Sequence, residues 1–254
     1  MSGATSAGNP IVIVGCGYRC GSTLLQRILC AAPGTMLWGE SNDALPLVLD
    51  AYVRIGLWTG MSMRQKTGLE TRGPEAWIAN LQPPLPHTSE ATALWIATRY
   101  ARMLDGSPAQ RWGMKDLSLE PLHVSTLLTT LPDARVIFML RHPRPMLASM
   151  LGTGWFRATP PDAIVRRWIE RSRWACRSSD ARLRVVRYEA LTTHPAATLA
   201  EVAQHLGMPP DALDARIATL VVRGTEEPPR LDAAAEAALA SPALIEAMAE
   251  LGYA

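Results

Sequence analysis

Aliphatic and β-branched residues crowd into three short stretches, "IVIV" at 11–14, "RVIFML" at 135–140 and "RVVRY" at 184–188. None alternates with polar residues, and each is followed by turn residues and then a helical pattern. Runs of this length suit strands covered on both faces of a parallel sheet. "MLWGE" (36–40) and "RWGMK" (111–115) predict two more strands, each ending on a charged residue. Strands alternating with helices predict an α/β fold, a three-layer sandwich around a central parallel sheet. Residues 41–110 read differently. "ATALWIATRYARML" sets Leu94, Ala97, Ala101 and Leu104 at helical spacing, "QPPLPH" interrupts the pattern, and Trp38, Trp58, Trp77 and Trp95 all precede residue 100. This is a helical insertion, either a layer against the sheet edge or a lid over an apolar pocket, and the two readings are compatible. After 195, "AATLAEVAQHLGM", "DALDARIATLVV" and "LDAAAEAALA" predict short helices. The whole is expected to form one domain over 1–254, with 1–9 as a flexible N-terminus.

Composition narrows the function classes. A chain of 254 residues with 48% hydrophobic and 19% charged residues can bury a substantial core. A net charge of +2 gives no broad field for nucleic acid. Among 25 basic residues only Lys66 and Lys115 are lysines, which singles each out. Cys16, Cys20, Cys30 and Cys176 are too few for a disulfide framework, and neither they nor the five histidines show metal-ligand spacing. No basic leader and no apolar run of membrane-spanning length is seen, so a cytoplasmic, reducing setting is expected.

The chemistry gathers after the first strand, in "GCGYRCGSTLL" (15–25). A Walker loop reads G-x-x-x-x-G-K-[ST]. Aligning Gly21 with its second glycine puts Ser22 where the lysine belongs and Cys16 at the first glycine. The physics of anion binding survives: backbone N–H groups opening the helix at 21–31 carry partial positive charge, Arg19 adds a bidentate fork, and Ser22 and Thr23 add hydroxyls. Such a loop suits a phosphate but not a magnesium triphosphate, and no metal is expected. A kinase-like phosphotransferase would need the missing lysine and magnesium ligands. A non-catalytic nucleotide-binding relative is the other alternative.

With "RCGSTLL" (19–25), "VIFMLRHPRPMLASM" (136–150) and "VRYEAL" (186–191), the chain resembles the sulfotransferases that use 3′-phosphoadenosine 5′-phosphosulfate (PAPS). The layout, with "WGE" ending at Glu40 and "MKD" containing Lys115, is similar to that of tyrosylprotein sulfotransferases and their bacterial relatives. Matching segments lie at 10–40, 110–152 and 183–207. The resemblance implies a P-loop-like fold and transfer of a sulfuryl group from PAPS to a hydroxyl or amine of a small-molecule or peptide acceptor, leaving adenosine 3′,5′-bisphosphate. It implies Arg19, Cys20, Gly21, Ser22, Thr23 and Leu24 at the 5′-phosphosulfate, Arg141 and Ser149 at the 3′-phosphate, and Tyr188 at the nucleotide. Glu40, Lys115 and Arg19 are the implied catalytic groups. Glu40 is the general base and Lys115 contacts the bridging oxygen.

Each assignment has a plainer competitor. Glu40 could cap a helix starting near Ser41, Arg141 could close a strand-end salt bridge, and Tyr188 could be core. His87 is the reserve base, and Arg144 is held open between phosphate contact and helix flank. A carboxyl near 4.3 is a weak base, so Glu40 needs burial beside the acceptor. Cys20 replaces the family serine. Following Arg19 and preceding a helix N-terminus, it is expected to be an accessible, reactive thiol. Trp58, Met61, Met63, Trp77 and Trp95 suggest apolar acceptor surface, without choosing the acceptor. A homodimer stays open.

Overall fold

The structure, a computed structural model, describes residues 9–219 and 230–253. All five expected strands form: β1 (Ile11–Gly15), β2 (Thr35–Trp38), β3 (Arg111–Lys115), β4 (Arg135–Leu140) and β5 (Leu183–Arg187). They make one parallel sheet in the order β2-β3-β1-β4-β5, with Ile11 level with Gly113 on one side and Arg135 on the other. Every residue of the central β1 is buried, as its unbroken apolar run requires, whereas the edge strand β5 is fully buried only at Val186. α1 (Ser22–Cys30), α9 (Pro195–His205) and a 3-10 turn at Ala215–Thr219 pack together on the sheet. α5 (Pro121–Thr130), α6 (Pro143–Gly152), α10 (Ala233–Leu239) and α11 (Pro242–Glu250) gather around α7 (Pro161–Arg177). The sandwich is therefore three-layered, and α8 (Tyr188–Thr193) follows β5 without a loop.

The insertion is helical: α2 (Ala44–Leu57), α3 (Thr59–Arg72) and α4 (Leu85–Tyr100), with α2 packed on α4 and α5. Its buried face differs from the expected one. Thr92, Ile96, Ala97 and Tyr100 of α4 turn inward, while Leu94 is exposed. The helix stops at Tyr100 because Arg102 pairs with Pro108 across a tight turn, and Leu104 projects into solvent. Of the helix expected over 211–222, the described part is the 3-10 turn; residues 220–222 lie outside the described residues, as do 1–8 of the expected flexible N-terminus. α11 carried no sequence expectation.

This strand order positions the site. The chain leaves β1 toward the β2–β3 side and leaves β4 toward β5. Adjacent strands whose exits diverge leave a crevice at their carboxyl ends, where ligands of open α/β sheets bind.

Candidate functional site

The loop leaving β1 is anchored at once, because the Cys16 N–H donates to the Met139 carbonyl of β4 at 3.0 Å. It then turns through two left-handed residues, Arg19 at φ 63° and Gly21 at φ 93°. Glycine is required at 21 for a second reason: a Cβ there would lie 2.2 Å from Cδ2 of Tyr188. α1 begins directly afterwards, Gly21 has no side chain to cap it, and the partial positive charge of a helix N-terminus suits an anion there.

Four elements converge on this turn. Arg141, just past β4, donates from Nη1 to the Arg19 carbonyl at 2.7 Å, and its guanidinium lies 4.2 Å from the Tyr188 ring centre. Arg19 in turn donates from Nε to Ser149 Oγ of α6 at 3.0 Å. The structure thus brings together Arg19, Gly21, Arg141, Ser149 and Tyr188, which lie far apart in sequence. Among the described residues Arg141 makes no strand-end salt bridge, and its buried Nε has no hydrogen-bond partner. Arg144 points elsewhere, held by a bidentate pair with Glu236 of α10, both contacts 2.8 Å.

Other expected contacts change on inspection. Cys20 is 0% exposed, with its sulfur seated where a side chain on Gly15 would be, so the accessible thiol is not there. Hydrogen bonding from Cys16, with Ser22 adding to it, lowers the Cys20 pKa against the burial that would raise it. Burial pushes the Cys16 thiol up. Position 20 therefore has only backbone to offer a phosphate, and Ser22 is buried. Leu24 sits in the core and its N–H donates to the Gly21 carbonyl, so it has no free group for a nucleotide. Thr23 is exposed.

Beside this cluster, Lys115 at the end of β3 meets Glu40, just past β2, in an ion pair of 2.6 Å. The lysine side chain is 10% exposed and the carboxylate 36%, so Glu40 is less buried than a raised-pKa base was expected to be. Glu40 caps nothing. The cap belongs to Ser41, whose Oγ accepts the Leu45 N–H at 3.0 Å, and α2 starts only at Ala44. Asn42 and Asp43 make the turn at φ 52° and 64°, a region these residue types tolerate. Asp116, buried next to Lys115, fixes the arrangement. Its Oδ2 accepts from Ser41 N–H (3.2 Å) and hydroxyl (2.5 Å), and its Oδ1 from Ser118 N–H (3.0 Å) and hydroxyl (2.6 Å).

Sequence reasoning missed Arg171. It is buried on α7, donating from Nη1 to the carbonyls of Leu117 (2.8 Å) and Gly15 (3.3 Å) and from Nε to Glu120 (2.9 Å). It thereby ties the carboxyl end of β1 to the segment after β3. The available signal was its place on the apolar stripe with Ile164, Trp168 and Ala175. Tyr18 was also undervalued. Its ring packs against Phe156 at 5.0 Å with a 41° tilt, and its phenol pKa is raised, first by burial and next by the Glu40 carboxylate.

The reserve base does not reach the site. His87 opens α4, whose far end at Tyr100 abuts Trp38; thirteen residues at 1.5 Å each separate them by about 20 Å. Trp58, Met63 and Trp77 are exposed on the outer segments, Met61 is half-buried, and Trp95 stands edge-on to Tyr100 at 6.5 Å. Among the described residues no group of three or more His, Cys, Asp or Glu could hold a metal ion, and no helix is long and apolar enough to cross a membrane.

Comparison with known proteins places this geometry. No curated protein matches the chain in sequence. Among solved structures, the chain is similar to the sulfotransferase domain from the Synechococcus PCC 7002 olefin synthase. That match has 18% identity and a TM-score of 0.52, covering 100% of this chain and 98% of the other. Sulfotransferase STF9 from Mycobacterium avium (15% identity, TM-score 0.53, 97% and 76% covered) shares the fold. So does a sulfotransferase from Alicyclobacillus acidocaldarius (15%, 0.52, 97% and 97%). The family model described as "Sulfotransferase family" matches residues 10–212, from the start of β1 past α9, and on that match the chain belongs to the sulfotransferase family.

Proposed function

We propose that the chain transfers the sulfuryl group of PAPS to a hydroxyl or amine of a small-molecule or peptide acceptor, with Glu40 as general base. The observation that carries this reading is the meeting of Arg19, Gly21, Arg141, Ser149 and Tyr188 beside the Glu40–Lys115 pair. The residues fit a doubly phosphorylated nucleotide. The N-terminus of α1 and the Arg19 fork suit the 5′-phosphosulfate, and Ser149 and Arg141, whose buried Nε has no hydrogen-bond partner among the described residues, suit the 3′-phosphate. The Tyr188 ring lies against both Gly21 and Arg141.

Each remaining demand of the reaction then has a residue. The acceptor oxygen gives its proton to Glu40 as its bond to sulfur forms. As the sulfur–oxygen bond to phosphate breaks, Lys115 balances the charge left on the departing nucleotide. Before turnover these two neutralise one another, which lets both charges stand at a half-buried position. Tyr18, which feels the Glu40 carboxylate, packs with Phe156, and this pair would give the acceptor an apolar wall.

Titration with adenosine 3′,5′-bisphosphate, with EDTA and with magnesium, followed by incubation with labelled PAPS and an acceptor panel, tests the reading. Tight metal-independent binding and label transfer are expected. Binding that requires magnesium would point to a phosphotransferase instead, and binding without transfer to any acceptor would point to a nucleotide binder.

A further inference from the structure

One peptide unit joins Arg141 to His142, and it is held from both sides. Its carbonyl accepts the Trp168 Nε1–H of α7 at 2.9 Å. Its N–H donates to Glu189 Oε1 of α8 at 2.8 Å. The second oxygen of Glu189 accepts the hydroxyl of Tyr253 at 3.1 Å. Tyr253 is in turn fixed on three sides: the His142 ring stands at 5.4 Å and 87°, the Trp168 ring at 6.2 Å, and the Arg187 guanidinium 4.5 Å from its ring centre. Arg187 also donates to the Leu251 carbonyl, which binds the segment after α11 to the end of β5. Burial holds the Tyr253 phenol protonated far beyond the usual tyrosine range, with the Glu189 carboxylate adding to the effect.

We propose that Tyr253 is a positioning residue for the donor nucleotide: by fixing the Glu189 carboxylate it fixes the Arg141–His142 peptide, and so sets the direction in which Arg141 presents its guanidinium to the 3′-phosphate. The inference rests on the donor reading given above. Its physical basis is that a carboxylate with one oxygen on a backbone N–H can still rotate, and a second hydrogen bond removes that freedom. A tilt of this peptide would swing the Arg141 side chain. It would also disturb the start of α6, where His142 Nδ1 accepts the Arg144 N–H at 3.2 Å.

The test compares adenosine 3′,5′-bisphosphate with 5′-AMP by calorimetric titration of wild type, Tyr253→Phe, Arg141→Ala and the double variant. Tyr253→Phe keeps the ring and removes only the hydroxyl. It is expected to weaken the bisphosphate about three- to tenfold, the range for one net hydrogen bond, and 5′-AMP less than about twofold. In the Arg141→Ala background the same substitution is expected to change neither ligand, since its effect runs through Arg141. Independently of any ligand, hydrogen exchange of the His142 amide should quicken in Tyr253→Phe while the amides of β1 keep their protection. An unchanged bisphosphate-to-AMP ratio, an unchanged His142 amide, or a full effect persisting without Arg141 would each overturn the proposal, whatever happens to Tm. A wild type that binds both nucleotides equally would overturn the donor reading and this inference with it.

Discussion

Around the carboxyl ends of β1 and β4, polar groups face one another at hydrogen-bond distance: Arg19 with Ser149, Arg141 with the Arg19 carbonyl, Glu189 with His142. Along α2–α4 the picture changes. Leu57, Met63 and Trp77 stand open to solvent, and α3 packs on α2, on the 3-10 turn at Gly73–Glu75 and, through Ser62 and Gln65, on the stretch at 80–82. On the proposed function, the contrast separates the treatment of two substrates. A phosphorylated donor is recognised by fixed charges and backbone donors, which must be pre-oriented to act in a crevice. An acceptor is recognised by shape and apolar surface, which tolerates looser construction.

The largest expected effect lies where the two regions meet. In Glu40→Gln the amide oxygen can still accept from Lys115 Nζ, so the geometry of the 2.6 Å contact is kept while the basicity is lost. We expect kcat to fall roughly 10²–10⁴-fold, the usual range for losing a positioned base, with bisphosphate affinity within about twofold of wild type. Turnover of labelled PAPS within threefold of wild type would remove Glu40 from the chemistry. His87 could not replace it at the far end of α4.

Gly21→Ala sharpens the donor side. The new Cβ would sit in a left-handed backbone and 2.2 Å from Tyr188, so either the loop or the ring must move. Strain of this kind costs about 1–3 kcal/mol. Displacing Tyr188 also removes the platform under Arg141. We expect bisphosphate binding to weaken by about ten- to a hundredfold, with a lower Tm. Normal affinity and normal Tm together would mean that the loop follows another path.

The same contrast explains what could be read from the amino-acid sequence. All five strands were legible, because a strand buried on both faces leaves an unbroken apolar run. That Arg19, Gly21, Arg141, Ser149 and Tyr188 gather at one turn was legible because backbone geometry and charge tie them to short motifs at strand ends. What escaped depends on tertiary neighbours. Only its place on the apolar stripe sets Arg171 apart from the other arginines of "RRWIERSRWACR", and its role shows only in its burial against the Gly15 and Leu117 carbonyls. Cys20 has the local setting of a reactive thiol, yet it lies under Gly15 and Cys16, and only the packed loop shows it. Tyr253 is over a hundred residues from the turn it touches. The face of α4 was misjudged because the apolar Leu94 is left outside while Thr92 goes in.

The smallest expected effect belongs to the outer segment, and the tryptophans make the comparison internal. Trp168 is fully buried and its Nε1 holds the Arg141 carbonyl, so truncating it removes both a core side chain and a donor-site contact. Trp77 is 71% exposed in the stretch between the 3-10 turn and α4. A side chain that stays in water forfeits little on removal, so Trp77→Ala is expected to shift stability by no more than about 0.5 kcal/mol. Bisphosphate affinity should stay within about twofold, since no donor-site group depends on it. With any acceptor that the labelled-PAPS panel identifies, KM should rise while kcat holds, the pattern of lost uniform binding. Thermal unfolding, bisphosphate titration and acceptor kinetics on this one variant therefore separate the two halves. A large loss of stability or of nucleotide affinity would show that the outer helices support the donor site, and that the division between a rigid donor side and a loose acceptor side is drawn in the wrong place.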